Sequence, residues 1–174
     1  MNSPLPLVVP KIVPVLDPGF RPAVLANRAF ARQVGISKQS TPLRMALEQA
    51  DGSVFHFFTE VFSEQHPQAA ANFTYVQRIL KFLLWGWGGF RVYFDGPPSL
   101  GAELQKHFRE TATGEFDADM MGHRIYERPF QIMLTPDLPV ARAATAPLGR
   151  HLNGCRIGFD LGGSDRKTAA VIDG

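Results

Sequence analysis

The chain predicts an α/β fold: a mixed sheet with covering helices, followed by a C-terminal β-hairpin. Three observations lead there. Residues 43–62 alternate with period two around a glycine turn, residues 68–85 repeat their apolar positions at helical spacing, and short strand-like runs recur at 90–94, 130–134 and 157–172.

The opening, residues 1–22, is apolar but broken by Pro4, Pro6, Pro10, Pro14, Pro18 and Pro22. Proline removes a backbone donor and fixes φ, so this reads as an extended arm lying across another surface. Residues 23–140 read as an α/β domain. Ala23 to Val34 has helical composition, with Gly35 as its stop. Arg32 to Arg44 at first suggests a helix-turn-helix, but Pro42 falls inside the would-be recognition helix, at a cost of about 3 kcal/mol. A β-hairpin is the better reading. Leu43, Met45 and Leu47 alternate with Arg44, Ala46 and Glu48, Ala50 to Ser53 turns, and Val54 to Phe62 returns, with Phe55, Phe57 and Phe58 as packing.

Pro67 opens a helix over 68–85 on which Phe73, Val76, Leu80 and Leu84 share a face. The glycines of 86–89 end it, and Phe90 to Phe94 is a strand. Ser99 is the expected N-cap of a helix to about Arg109. A short helix is expected around Phe116 to Tyr126 and a strand over Phe130 to Leu134. Residues 141–154 read as a linker, and 155–174 as the final hairpin, in which Ile157 to Leu161 and Thr168 to Ile172 flank a Gly162-Gly163-Ser164 turn.

Bulk properties narrow the function. Eighteen Lys and Arg against 16 Asp and Glu give +2, which supplies no drive toward nucleic acid or anionic membrane. The single cysteine, Cys155, excludes an internal disulfide and is expected to be buried as a small hydrophobe. No apolar run is long enough to span a bilayer, and the arm lacks the basic, unbroken pattern of a signal peptide. A cytoplasmic protein is expected.

Among candidate sites, His56, His66, His107, His123 and His151 lack zinc-ligand spacing, so no zinc site is expected. Glu115, Asp117 and Asp119 form an acidic group expected to be a solvated loop, and Arg91, Arg128, Tyr93 and Tyr126 are groove candidates without fixed roles. The C-terminal hairpin carries more chemistry. Glycines let backbone N–H groups approach an anion without side chains in the way, and Arg166 and Lys167 add positive charge. Asp160 suits a hydrated magnesium ion, which keeps its waters and takes few carboxylates. Ser164 suits a hydroxyl contact to phosphate or metal, since no histidine is placed to make it a nucleophile.

The segment IGFDLGGSDRKTAAVIDG resembles the first phosphate-binding hairpin of the actin-like (ribonuclease H-like) ATPase superfamily, and within it the ROK family of repressors and sugar kinases. Asp160, Gly162 and Gly163 match the family pattern, Ser164 replaces a threonine with the same hydroxyl, and Asp165 stands where lysine is common. The likeness covers about a tenth of the chain. It implies that residues 155–174 start an actin-like ATPase domain. It also implies that Asp160, Gly162, Gly163, Ser164 and Lys167 bind ATP, with Asp160 holding magnesium through water.

The complete protein would transfer a phosphoryl group from ATP to a sugar. The family's catalytic aspartate, adenosine loop and zinc motif follow the first hairpin and have no positions here. The chain is therefore expected to be an N-terminal portion, inactive by itself. The alternative is a non-catalytic regulatory or protein-interaction module, repressor-derived, with self-association through the hairpin's edges. Neither reading expects a membrane or nucleic-acid partner.

Overall fold

The computed structural model describes Leu5, residues 7–143 and residues 154–173. The chain divides into two compact units, Met1–Ala144 and Thr145–Gly174.

In the first unit, α1 (Ala23–Ser37) leads into β1 (Ser40–Glu48) and β2 (Val54–Phe62), then α2 (Ala71–Gly86), β3 (Arg91–Asp95), α3 (Pro98–Glu110), α4 (Ala112–Asp119), a π-helical turn (Met120–Arg124) and β4 (Gln131–Leu134). The sheet order is β2-β1-β3-β4. β1 is antiparallel to both β2 and β3, and β4 is parallel to β3, so the sheet is mixed. The hairpin reading of 43–62 holds, and with it the rejection of a helix-turn-helix. Pro42 is accommodated because β3 pairs only with residues 44–48 of β1, leaving β1 single-sided at Pro42.

Strand alternation sends Leu43, Met45 and Leu47 to one face, in register with Val92 and Phe94 of β3, and all five are buried. The helices supply the facing layer. Phe30 of α1 stacks on Tyr75 of α2 at 4.1 Å and meets Phe62 edge-on at 5.4 Å, while Val76, Leu80 and Leu104 complete the core. Leu5 of the arm is also part of this core.

The other face carries Arg44, Glu48 and Tyr93 and is crossed by the chain leaving β4. Arg44 donates to the Pro136 carbonyl at 3.2 Å, and His56 Nε2 lies 2.7 Å from the Pro139 carbonyl. Val54 and Arg142 exchange both backbone hydrogen bonds, at 2.7 and 3.0 Å, on the outer edge of β2. The segment expected as linker from 141 is thus still pinned at Arg142. Residues 144–153 of that linker, with His151, lie outside the described residues.

Several boundaries differ from expectation. α1 runs through Gly35, which costs a helix only about 1 kcal/mol, and ends where the Ser37 hydroxyl donates to the Val34 carbonyl and Lys38 turns left-handed at φ 53°. Residues 63–70 make turns closed by i to i−3 hydrogen bonds before α2 begins at Ala71. Ser99 is not the N-cap of α3, since Pro97 holds that position. The Ser99 N–H and hydroxyl instead both donate to the Glu64 carboxylate, a partner distant in sequence that holds this carboxyl below its usual range.

The second unit is the hairpin of β5 (Arg156–Leu161) and β6 (Arg166–Val171), paired antiparallel. Its return strand starts two residues earlier than expected, so the turn is Gly162 to Asp165. Cys155, expected to be buried, is exposed at its entrance.

Candidate functional site

The hairpin register fixes which residues of the sequence-derived site share a face. Asp160 is directly opposite Lys167, and directly opposed residues of a ladder project to the same side. Lys167 Nζ lies 3.8 Å from the Asp160 carboxylate and 3.6 Å from that of Asp165, all three side chains well exposed. Asp165, the departure from the family pattern, therefore joins the charge cluster. Two carboxylates around one ammonium leave this face of the tip net negative, although Arg166 on the other face balances the tip as a whole, and the face is a better match to a hydrated cation than to a bare phosphate.

Arg166 is opposite Leu161 and projects to the other face, so the structure separates it from Asp160. Gly162 is backed by Asp165, whose carboxylate and carbonyl would stand 3.0 and 3.1 Å from a Cβ, whereas Gly163 has open space around it. Ser164 sits exposed in the turn. The Arg166 face also carries Ile157, Phe159 and Leu161, each more than 60 % exposed.

The other sequence candidates resolve differently. Asp117 is not in a solvated loop: its side chain is 0 % exposed, accepting from Lys81 Nζ at 2.9 and 2.8 Å and from Trp85 Nε1 at 2.9 Å. It ties α4 to α2. Asp119 instead pairs with Arg124 at 2.6 Å. Arg91 and Tyr93 both engage Glu48 Oε2, at 3.2 and 2.7 Å, and the guanidinium groups of Arg91 and Arg128 lie 5.1 and 5.2 Å from the Phe90 ring centre. Burial, first, and then the bond to Glu48 push the Tyr93 phenol above its usual range. These contacts make a cross-strand network that locks the polar face.

The described histidines are dispersed. His56 is tied to Pro139, His66 stacks on Phe62 at 4.3 Å, and His107 packs edge-on against Phe73 and Phe108. Among the described residues, no group of three or more His, Cys, Asp or Glu side chains is placed to hold a metal ion.

One feature had no sequence signal. A cleft of about 630 Å³ lies between β4 and a wall made by α3, α4 and the π-helical turn, with Phe108, Phe130 and Ile132 among its apolar residues and Gln105, Arg109 and Glu115 among its polar ones. This is the size range of ligand-binding pockets. It arises from residues of four elements, and no local pattern announces it. No protein-family model matches the chain, and neither a curated protein nor a solved structure is significantly similar to it.

Proposed function

We propose that this chain is the N-terminal part of a ROK-type, sugar-kinase-like ATP-binding protein, in which the β5–β6 hairpin receives the phosphate tail of magnesium-ATP. The supporting observation is the cross-strand apposition of Asp160 and Lys167 beneath a solvent-facing Gly-Gly-Ser-Asp turn. The exposed carboxylates of Asp160 and Asp165 fit a magnesium ion that keeps most of its waters, and the ammonium of Lys167 fits a neighbouring phosphate oxygen. Gly163 leaves its backbone open to an anion.

In this reading Asp160 orients the hydrated metal and Ser164 offers a hydroxyl to metal or phosphate. Phosphoryl transfer to a sugar belongs to the complete protein, since that chemistry needs several charge-neutralising elements at once. A second reading, a non-catalytic interaction module, draws on the exposed Ile157, Phe159 and Leu161 face, which suits coverage by a partner.

Calorimetric titration of the chain with magnesium-ATP separates the two. Weak, magnesium-dependent binding that disappears in Asp160→Ala supports the nucleotide reading. Binding that is identical in wild type and Asp160→Ala, or that needs no magnesium, overturns it.

A further inference from the structure

We propose that the cleft beside β4 is a docking groove for an extended peptide of a partner protein, which adds to the sheet as a fifth strand and seats an apolar side chain on Phe108 and Phe130. The groove is lined by Pro129 to Met133 in unbroken succession. Consecutive strand residues project to opposite faces, so a cavity touching all of them runs along the strand's edge. β4 is the terminal strand of the sheet.

Its backbone is partly unused. The N–H groups of Gln131 and Thr135 donate to Phe90 and Phe94 carbonyls of the β3 side, at 2.9 and 3.0 Å. In a parallel ladder, residues alternate in the neighbour they address, so Ile132 and Leu134 direct their N–H and C=O away from β3. The Ile132 carbonyl already accepts from the Gln105 side-chain amide at 2.8 Å, as it would from an added strand. The N–H of Ile132 and both backbone groups of Leu134 have no partner among the described residues.

The opposite edge is treated differently. On β2, Val54 is paired by Arg142, and the N–H and C=O of Phe62 are both taken by the buried Asn72 side chain, at 3.0 and 2.7 Å. The β2 edge is thus tied at both ends, whereas the open stretch of β4 lies beside a cavity. Exposed, unpaired edges otherwise invite aggregation, so an edge left open next to a shaped groove favours a specific strand-like occupant.

The wall supplies charge complementarity. Arg109 and Glu115 have no ion-pair partner among the described residues, whereas Asp119 is neutralised by Arg124. An occupant with an acidic and a basic residue on either side of a central aromatic, all three on one strand face, matches that wall.

The test uses isotope-labelled full chain titrated with acetyl-Thr-Lys-Thr-Phe-Thr-Asp-Thr-amide and with the reversed-order peptide. One of the two should bind saturably, shifting the Ile132 and Leu134 amide resonances and slowing their exchange. N-methylation of the phenylalanine or of the threonine after it, whichever N–H faces β4 in the bound orientation, should weaken binding about tenfold by deleting a ladder donor, and methylation of the other should not. In Arg109→Glu, a surface change, the same peptide should bind less tightly and its Asp-to-Lys variant more tightly. Silence of the Ile132 and Leu134 amides with both peptides overturns the proposal, as does binding indifferent to both methylations. Concentration-dependent self-association that protects these amides without peptide overturns it in favour of a second copy.

Discussion

Replacing Lys81 by methionine should cost the domain more stability than replacing Asp117 by asparagine, although both break the same ion pair. The two partners are unequally buried: the Asp117 side chain is 0 % exposed and that of Lys81 is 39 % exposed. When Asp117 becomes asparagine, the Lys81 ammonium can turn to water, and the amide oxygen can still accept from Trp85 Nε1. The loss is then that of a charge-assisted hydrogen bond, about 1–2 kcal/mol.

When Lys81 becomes methionine, the carboxylate stays enclosed with Trp85 Nε1 as its remaining donor. Stranding a buried charge typically costs about 3–5 kcal/mol. The double substitution should recover about 1–3 kcal/mol relative to Lys81→Met alone, since it removes the stranded charge. Urea unfolding followed by far-ultraviolet circular dichroism measures all three. A Lys81→Met penalty equal to or smaller than that of Asp117→Asn would refute this reasoning, and would mean that water reaches Asp117.

Asn72→Leu should destabilise by about 2–4 kcal/mol, because it leaves the N–H and C=O of Phe62 unpaired in a buried setting; thermal unfolding checks it. Gly52→Ala should cost about 1–3 kcal/mol, since Gly52 adopts φ 81° and an added Cβ would collide with the Arg142 guanidinium. Arg142→Ala/Gly52→Ala should lose less than the two single costs combined, and strict additivity would show that the crowding is relieved elsewhere. His107 gives a pH signature. Burial holds its pKa below the ordinary value of 6.5, against an opposing pull from Asp117 and with a smaller contribution in the same direction as burial from the Lys81 charge. The unfolded chain therefore takes the proton first, so stability should fall as pH drops below about 6.5 and level off once the folded state also protonates. His107→Gln should flatten that slope between pH 7 and 5.5, and an unchanged slope would assign it to other groups.

The sheet and its helices were legible because their signals are local. Period-two alternation in 43–62 and helical spacing in 68–85 are direct records of one-sided burial, and they located β1, β2 and α2 to within a few residues. What escaped depends on partners far along the chain. Asp117 looks like a loop acid until α2 brings Lys81 and Trp85 to it, 36 and 32 residues away. Ser99 looks like an N-cap until Glu64 arrives from 35 residues away. Gly35 failed as a stop because a mid-helix glycine is only mildly unfavourable and Ser37 offers a better exit. Cys155 is exposed, because the burial of a lone cysteine depends on neighbours that composition does not specify. In the hairpin, strand pairing is readable, but that Lys167 rather than Arg166 faces Asp160 follows from a turn one residue longer than Gly162-Gly163-Ser164.

The segment that crosses the polar face of the sheet has a consequence for how this unit forms. Its attachments join residues 83 and 90 positions apart, His56 with Pro139 and Gly52 with Arg142. Closing a loop of that size is entropically expensive before other contacts have shortened it, so these bonds should be late events, after the β1–β2 hairpin and its helices have condensed. Late contacts mainly govern how fast a protein comes apart. Loosening the crossing segment should therefore hasten unfolding while leaving the refolding rate nearly untouched, giving the domain a fastening that is separate from its nucleus.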